Sequence, residues 1–118
     1  MPATQCLDIS EIHGITMVHL LDDRLVERNG IEDVGTALCQ LIESDGRRKL
    51  VVNFSSVKFI SSAGLGQLVV LHKRVNAHGA TLRFCCIRPE VHGVFAVSKL
   101  DRLFDIRKDE ADALAAFN

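Results

Sequence analysis

Tryptophan and tyrosine are absent from the 118 residues, and aromatics of any kind make up only 5%. Stacking on nucleic-acid bases would therefore fall to phenylalanine or histidine alone. No apolar run approaches the ~18–20 residues that span a bilayer. Neither sign of charge dominates: 14 Lys and Arg stand against 15 Asp and Glu, a formal net charge of −1. Such a balance gives no electrostatic pull toward nucleic acid or an anionic membrane. The short basic run Arg47, Arg48, Lys49 reads as a solvated loop ahead of a strand. The four cysteines (Cys6, Cys39, Cys85, Cys86) lack metal or redox spacing, so reduced, buried thiols are expected rather than a disulfide framework. Cys85 and Cys86 are neighbours, and within a strand their side chains would point to opposite faces. Met1-Pro-Ala-Thr-Gln lacks the basic-then-apolar pattern of a secretory signal, so the expected location is the cytoplasm.

What the chain does have is an ordinary globular balance, 47% apolar and 25% charged. That is enough for one domain with one core, residues 1–118, with residues 1–5 expected to be disordered. Residues Cys6–Ile12 and Ile15–Leu21, punctuated by Gly14, read as an antiparallel hairpin. Residues 22–30 are loop by composition. Ile31, Val34, Leu38, Leu41 and Ile42 then recur at helical spacing, with Asn29 a plausible cap and Asp45-Gly46 a plausible stop. Leu50–Phe54 is a short apolar run, as in a strand buried on both faces. Leu65, Leu68, Val69, His72 and Val75 mark a second helix that Gly79 stops. Thr81–Ile87 reads as a strand, and Pro89 as the first turn of a third helix reaching about Ser98. Leu103–Ile106 suits a short strand, and Asp109 a cap for a last helix through Phe117. The order ββαβαβα(β)α implies an α/β fold, a mixed and mostly parallel sheet of four to five strands covered by about four helices.

The most informative stretch runs Leu50-Val-Val-Asn-Phe-Ser-Ser-Val-Lys-Phe-Ile-Ser-Ser-Ala-Gly-Leu-Gly66. An apolar run gives way to a polar loop, then to two serines at the start of a helix and two glycines within four residues. Ser62 is the first candidate for the helix N-cap, with Ser61 next; a cap contributes about 1 kcal/mol. Gly64 and Gly66 each cost about 1 kcal/mol relative to alanine inside a helix. Close packing on the sheet or close approach of another protein would offset that cost. A phosphoryl group on Ser62 would bring roughly −1.5 to −2 charges to the positive end of the helix. The domain tolerates this, whereas a partner seated flush on the glycines would have to bury that charge.

Asn53-Phe-Ser-Ser-Val-Lys-Phe-Ile-Ser-Ser-Ala-Gly-Leu-Gly66 resembles the signature of the STAS domains, the anti-sigma-factor antagonists. Their pattern runs approximately Asp-Leu-Ser-x-Val-x-Phe-Ile-Asp-Ser-Ser/Thr-Gly-Leu-Gly. Gly79 through Phe95 and Leu100-Asp-Arg-Leu-Phe-Asp-Ile extend the likeness. The resemblance implies a small protein-binding domain without cofactor. Its partner would be an anti-sigma factor that is also a serine kinase of histidine-kinase-like ATPase fold, and phosphorylation of the antagonist would break the complex. The phosphorylated serine of the pattern falls on Ser62, with Ser61 as an alternative acceptor. The implied partner surface comprises Ser61, Ser62, Ala63, Gly64, Leu65 and Gly66, joined by loop residues Asp22 and Asp23. Three positions depart from the pattern: Ser61 and Asn53 replace aspartates, and Ala63 replaces a hydroxyl residue. The changes at Asn53 and Ser61 remove acidic groups near the acceptor.

Two other functions stand beside this one. Some stand-alone domains of the family look like cytoplasmic accessory subunits of ABC-type lipid transporters. A serine hydrolase would need a base beside its nucleophile. Of the histidines His13, His19, His72, His78 and His92, only His72 shares the motif helix. It lies ~10 residues beyond Ser62, about 15 Å along the axis. No Gly-x-Ser-x-Gly elbow occurs, and the chain is not expected to be an enzyme.

Overall fold

The computed structural model describes residues 7–21, 24–25, 38–43 and 46–117. Strands β1 (Leu7–Ile12) and β2 (Ile15–Leu20) form the opening hairpin. His13 and Gly14 make its two-residue turn, both with positive φ (51° and 81°). That is the mirror-image turn that matches strand twist. A two-residue strand β3 (Arg24–Leu25) follows, then helical residues 38–43 (α1). Next come β4 (Lys49–Asn53), a second two-residue strand β5 (Phe59–Ile60) and α2 (Ser62–Ala77). The chain closes with β6 (Thr81–Cys85), α3 (Pro89–Val97), a 3₁₀ turn at Leu100–Arg102, β7 (Asp105–Arg107) and α4 (Glu110–Ala115).

The main sheet has order β1-β2-β4-β6-β7, antiparallel only at the hairpin. Alternation along β4 explains why both faces are covered. Leu50 and Val52 join the large core with Val18, Leu20, Leu82 and Phe84, under α1, α2 and α3. Val51 points the other way, into a smaller cluster with Ile15, Met17, Cys85 and Ala113 of α4. Phe84 anchors the large core, its ring centroid 4.8 Å from those of both Phe54 and Phe104. On α2 the buried side chains include Leu65, Leu68, Leu71 and Val75, the inward stripe of an amphipathic helix.

The expected mixed α/β sheet with its opening hairpin is the one observed. Three details differ. The β3–β5 pair, two parallel residues each, arises in segments whose composition reads as loop. β6 stops at Cys85, because Cys86 turns into the left-handed region (φ 60°). The last strand is Asp105–Arg107, displaced by the 3₁₀ turn that uses Leu100–Arg102. The expected start of the first helix, with Asn29, Ile31 and Val34, lies outside the described residues, as do residues 1–5 and residues 44–45 at its expected stop.

Candidate functional site

Strands β2, β4 and β6 run parallel, so the loops at their carboxyl ends gather at one edge of the sheet, the usual place for recognition in such sheets. Ser55, just past β4, organises this edge. Its hydroxyl is hydrogen-bonded to His19 Nε2 of β2 at 3.1 Å. Its N–H donates to Asn53 Oδ1 at 2.8 Å, and its carbonyl accepts from Arg88 Nε at 3.0 Å. Three strands' worth of chain thus hold one residue by all its polar groups. Phe54 N–H donates to the Cys85 carbonyl and Val57 N–H to the Phe54 carbonyl, which fixes the rest of the turn.

Asn53 is itself buried, 4% exposed. While its Oδ1 accepts from Ser55, its Nδ2 donates to the Glu110 carboxylate of α4. An aspartate could accept from Ser55 equally well, but it would set a second carboxylate against Glu110. Asparagine at this position is therefore matched to Glu110 within the fold.

At the start of α2 the structure corrects the expected cap. Ser61, not Ser62, is the N-cap: it is extended (φ −88°, ψ 168°), and its Oγ accepts from Gly64 N–H at 3.0 Å. Ser62 is the first helical residue and is exposed. No hydrogen bond engages its hydroxyl among the described residues. The first turn of α2 carries no acidic side chain of its own to offset the positive helix end.

The other expected contact residues divide. Ala63 and Gly66 are exposed, Ser61 is half-buried, and Gly64 and Leu65 are buried. Gly64 and Leu65 therefore contribute to the packing of α2. Among the described residues a Cβ built on Gly66 meets nothing within 4 Å, so their packing does not account for that glycine. Asp22 and Asp23 lie outside the described residues.

Several residues of this edge escaped sequence reasoning. Val70 is 48% exposed and lies seven residues after Ala63, on the stripe of Ala63 and Gly66. Phe59 is 47% exposed, with the Arg24 guanidinium 5.0 Å over its ring. The signal for Val70 was an apolar residue off the buried stripe of its helix. His19, Ser55, Arg88 and Glu110 carried no such signal, since their partners lie tens of residues away.

As for chemistry, His19 and Ser55 form a serine–histidine contact, but no acid is hydrogen-bonded to the far side of His19 among the described residues. Nor do the described residues hold a cluster of three or more His, Cys, Asp or Glu side chains placed to bind a metal ion. No helix among them is long and apolar enough to cross a membrane. Among the described residues, the start of α2 presents one exposed hydroxyl outside any hydrogen bond, that of Ser62.

The STAS domain profile matches residues 8–113. The chain belongs to the STAS family. Among relatives, an anti-sigma F factor antagonist of Paenibacillus polymyxa is 30% identical over 78 residues, 64% of this chain and 67% of that protein. The fold of a STAS anti-sigma-factor antagonist domain protein from Planctomyces limnophilus matches with a TM-score of 0.80 over 95% of this chain and 97% of that one, at 19% identity. The Bacillus protein SpoIIAA matches in two states. The unphosphorylated form has a TM-score of 0.76 at 17% identity, covering 94% of this chain and 95% of that one. The phosphorylated form has a TM-score of 0.69 at 16% identity, covering 95% and 99%. At these identities the structural matches speak for the STAS fold alone.

Proposed function

We propose that this STAS domain is an anti-sigma factor antagonist. It captures an anti-sigma factor that is also a serine kinase of histidine-kinase-like ATPase fold, and phosphorylation of Ser62 releases it. The observation that carries this reading is the division of labour between two adjacent serines. Ser61 is spent on the cap, which leaves Ser62 exposed and unbonded at the positive end of α2. A kinase can reach that hydroxyl without unfolding the helix. The product phosphate suits a helix start whose own first turn carries no acidic side chain, so the domain keeps its shape. A partner seated on Ala63, Gly66 and Val70 would have to bury the new charge, and would leave.

The departure at Asn53 does not weaken this reading, because its side chain is committed to Ser55 and Glu110. The departure at Ser61 keeps a cap in place, since serine and aspartate cap about equally well. The experiment is co-purification with the cognate kinase in the presence of ATP, comparing wild type, Ser62→Ala and Ser62→Asp. Ser62→Ala is expected to stay bound and Ser62→Asp to be lost. Equal retention of both variants, with no phosphate on Ser61 or Ser62 of the wild type, overturns the proposal.

A further inference from the structure

Cys85 ends β6, and a continuing strand would send the Cys86 side chain to the opposite face of the sheet. The backbone does otherwise. Cys86 has φ 60°, a left-handed conformation that is unfavourable for a non-glycine residue. This turn brings the second thiol back to the α4 side. Cys86 packs against the same cluster that holds Cys85, together with Ile15, Met17, Val51 and Ala113. Cys85 is fully buried and Cys86 half-buried, and both are free thiols.

The surroundings decide what such a pair can do. Burial first, then the adjacent Cys86 thiol and the carboxylates of Glu110 and Asp109, hold the Cys85 thiol above its ordinary range. A thiol kept protonated is a poor nucleophile toward alkylating agents and peroxide. A disulfide between chain neighbours is also disfavoured. Their Cα atoms sit about 3.8 Å apart across a trans peptide, shorter than the usual disulfide range of about 4.4–6.8 Å. Two thiols on one apolar face remain well suited to chelating a soft centre.

We propose that Cys85 and Cys86 form a two-thiol site for a thiophilic trivalent arsenical, with both sulfurs bound to one arsenic. An organoarsenic oxide enters with its As=O group. Two As–S bonds form, the As=O and two S–H bonds break, and the oxygen leaves with both protons as water. Arsenic stays trivalent throughout, so no oxidant or reductant is needed. The half-buried Cys86 reacts first, and its neighbour closes the chelate under α4. The site is independent of the serine edge and of the function proposed for it.

The test uses phenylarsine oxide on the folded full chain carrying Cys6→Ser and Cys39→Ser, with circular dichroism confirming the fold. Mass spectrometry is expected to show one adduct per chain and thiol titration the loss of both remaining thiols. The adduct is expected to survive excess 2-mercaptoethanol and to be released by ethanedithiol, as a two-sulfur chelate should be. Adding Cys85→Ser or Cys86→Ser is expected to abolish the monothiol-resistant adduct. An adduct that forms only after denaturation, that 2-mercaptoethanol strips away, or that persists in either single-thiol variant overturns the proposal.

Discussion

Asn53 donates from Nδ2 to the Glu110 carboxylate while its Oδ1 takes the Ser55 N–H, so one buried amide joins the end of β4 to both α4 and the loop before the serine edge. Asn53→Asp keeps the acceptor and replaces the donor with a second carboxylate. A loss of about 1–3 kcal/mol is expected at pH 7. Two facing carboxylates raise the folded-state pKa above the unfolded value of about 4. The penalty is therefore full above the raised folded pKa and fades as pH falls toward the unfolded one. Urea denaturation at pH 7 and near pH 4 checks both parts. Adding Glu110→Gln restores a donor facing Asp and should recover most of the loss at pH 7.

The two motif serines separate in stability as well as in role. Ser61→Ala removes the cap of α2 and should cost about 1 kcal/mol. Ser62→Ala touches no hydrogen bond and should stay within about 0.5 kcal/mol of wild type. Urea midpoints of the two variants compare them directly, and equal costs would contradict the assignment of Ser61 as the cap.

Gly66→Ala sets stability against binding. Its new methyl meets nothing within 4 Å among the described residues, and alanine is favoured over glycine in a helix by about 1 kcal/mol. The variant should melt at a higher temperature. If a partner approaches the helix closely at this position, the same methyl should weaken the complex. A binding titration of the stabilised variant against wild type reads that out.

Arg88→Ala frees the Ser55 carbonyl. A cost of about 1–2 kcal/mol is expected for the lost charged hydrogen bond. The larger effect should be local, as faster hydrogen exchange at Ser55 and Val57, whose amides belong to the tethered turn. Protection unchanged at those amides would show that the turn is held without Arg88.

The sheet was legible in the sequence because β4 and β6 announce themselves as apolar runs and α2 by its period. The hairpin turn was legible through Gly14. Ser61 as cap was not. Adjacent serines offer the same hydroxyl, and only the backbone, extended at Ser61 and helical at Ser62, separates them. The β3–β5 pair was hidden because two residues per strand carry no periodicity. The β6 boundary failed because Cys86 leaves the strand through a left-handed turn that nothing in its side chain demands. The tethers of Ser55 were beyond reach, since His19 and Arg88 lie 36 and 33 residues away in the chain.

The most direct test of the account is the affinity of the proposed partner, an anti-sigma kinase, for two forms of this protein, one unmodified and one carrying phosphoserine at position 62, measured by isothermal titration calorimetry. Burying an uncompensated charge at the interface should cost about 3 kcal/mol, which is on the order of 100-fold in Kd. Tight binding of the unmodified form and a loss of that size on phosphorylation is the predicted result. Equal affinities for the two forms would contradict it.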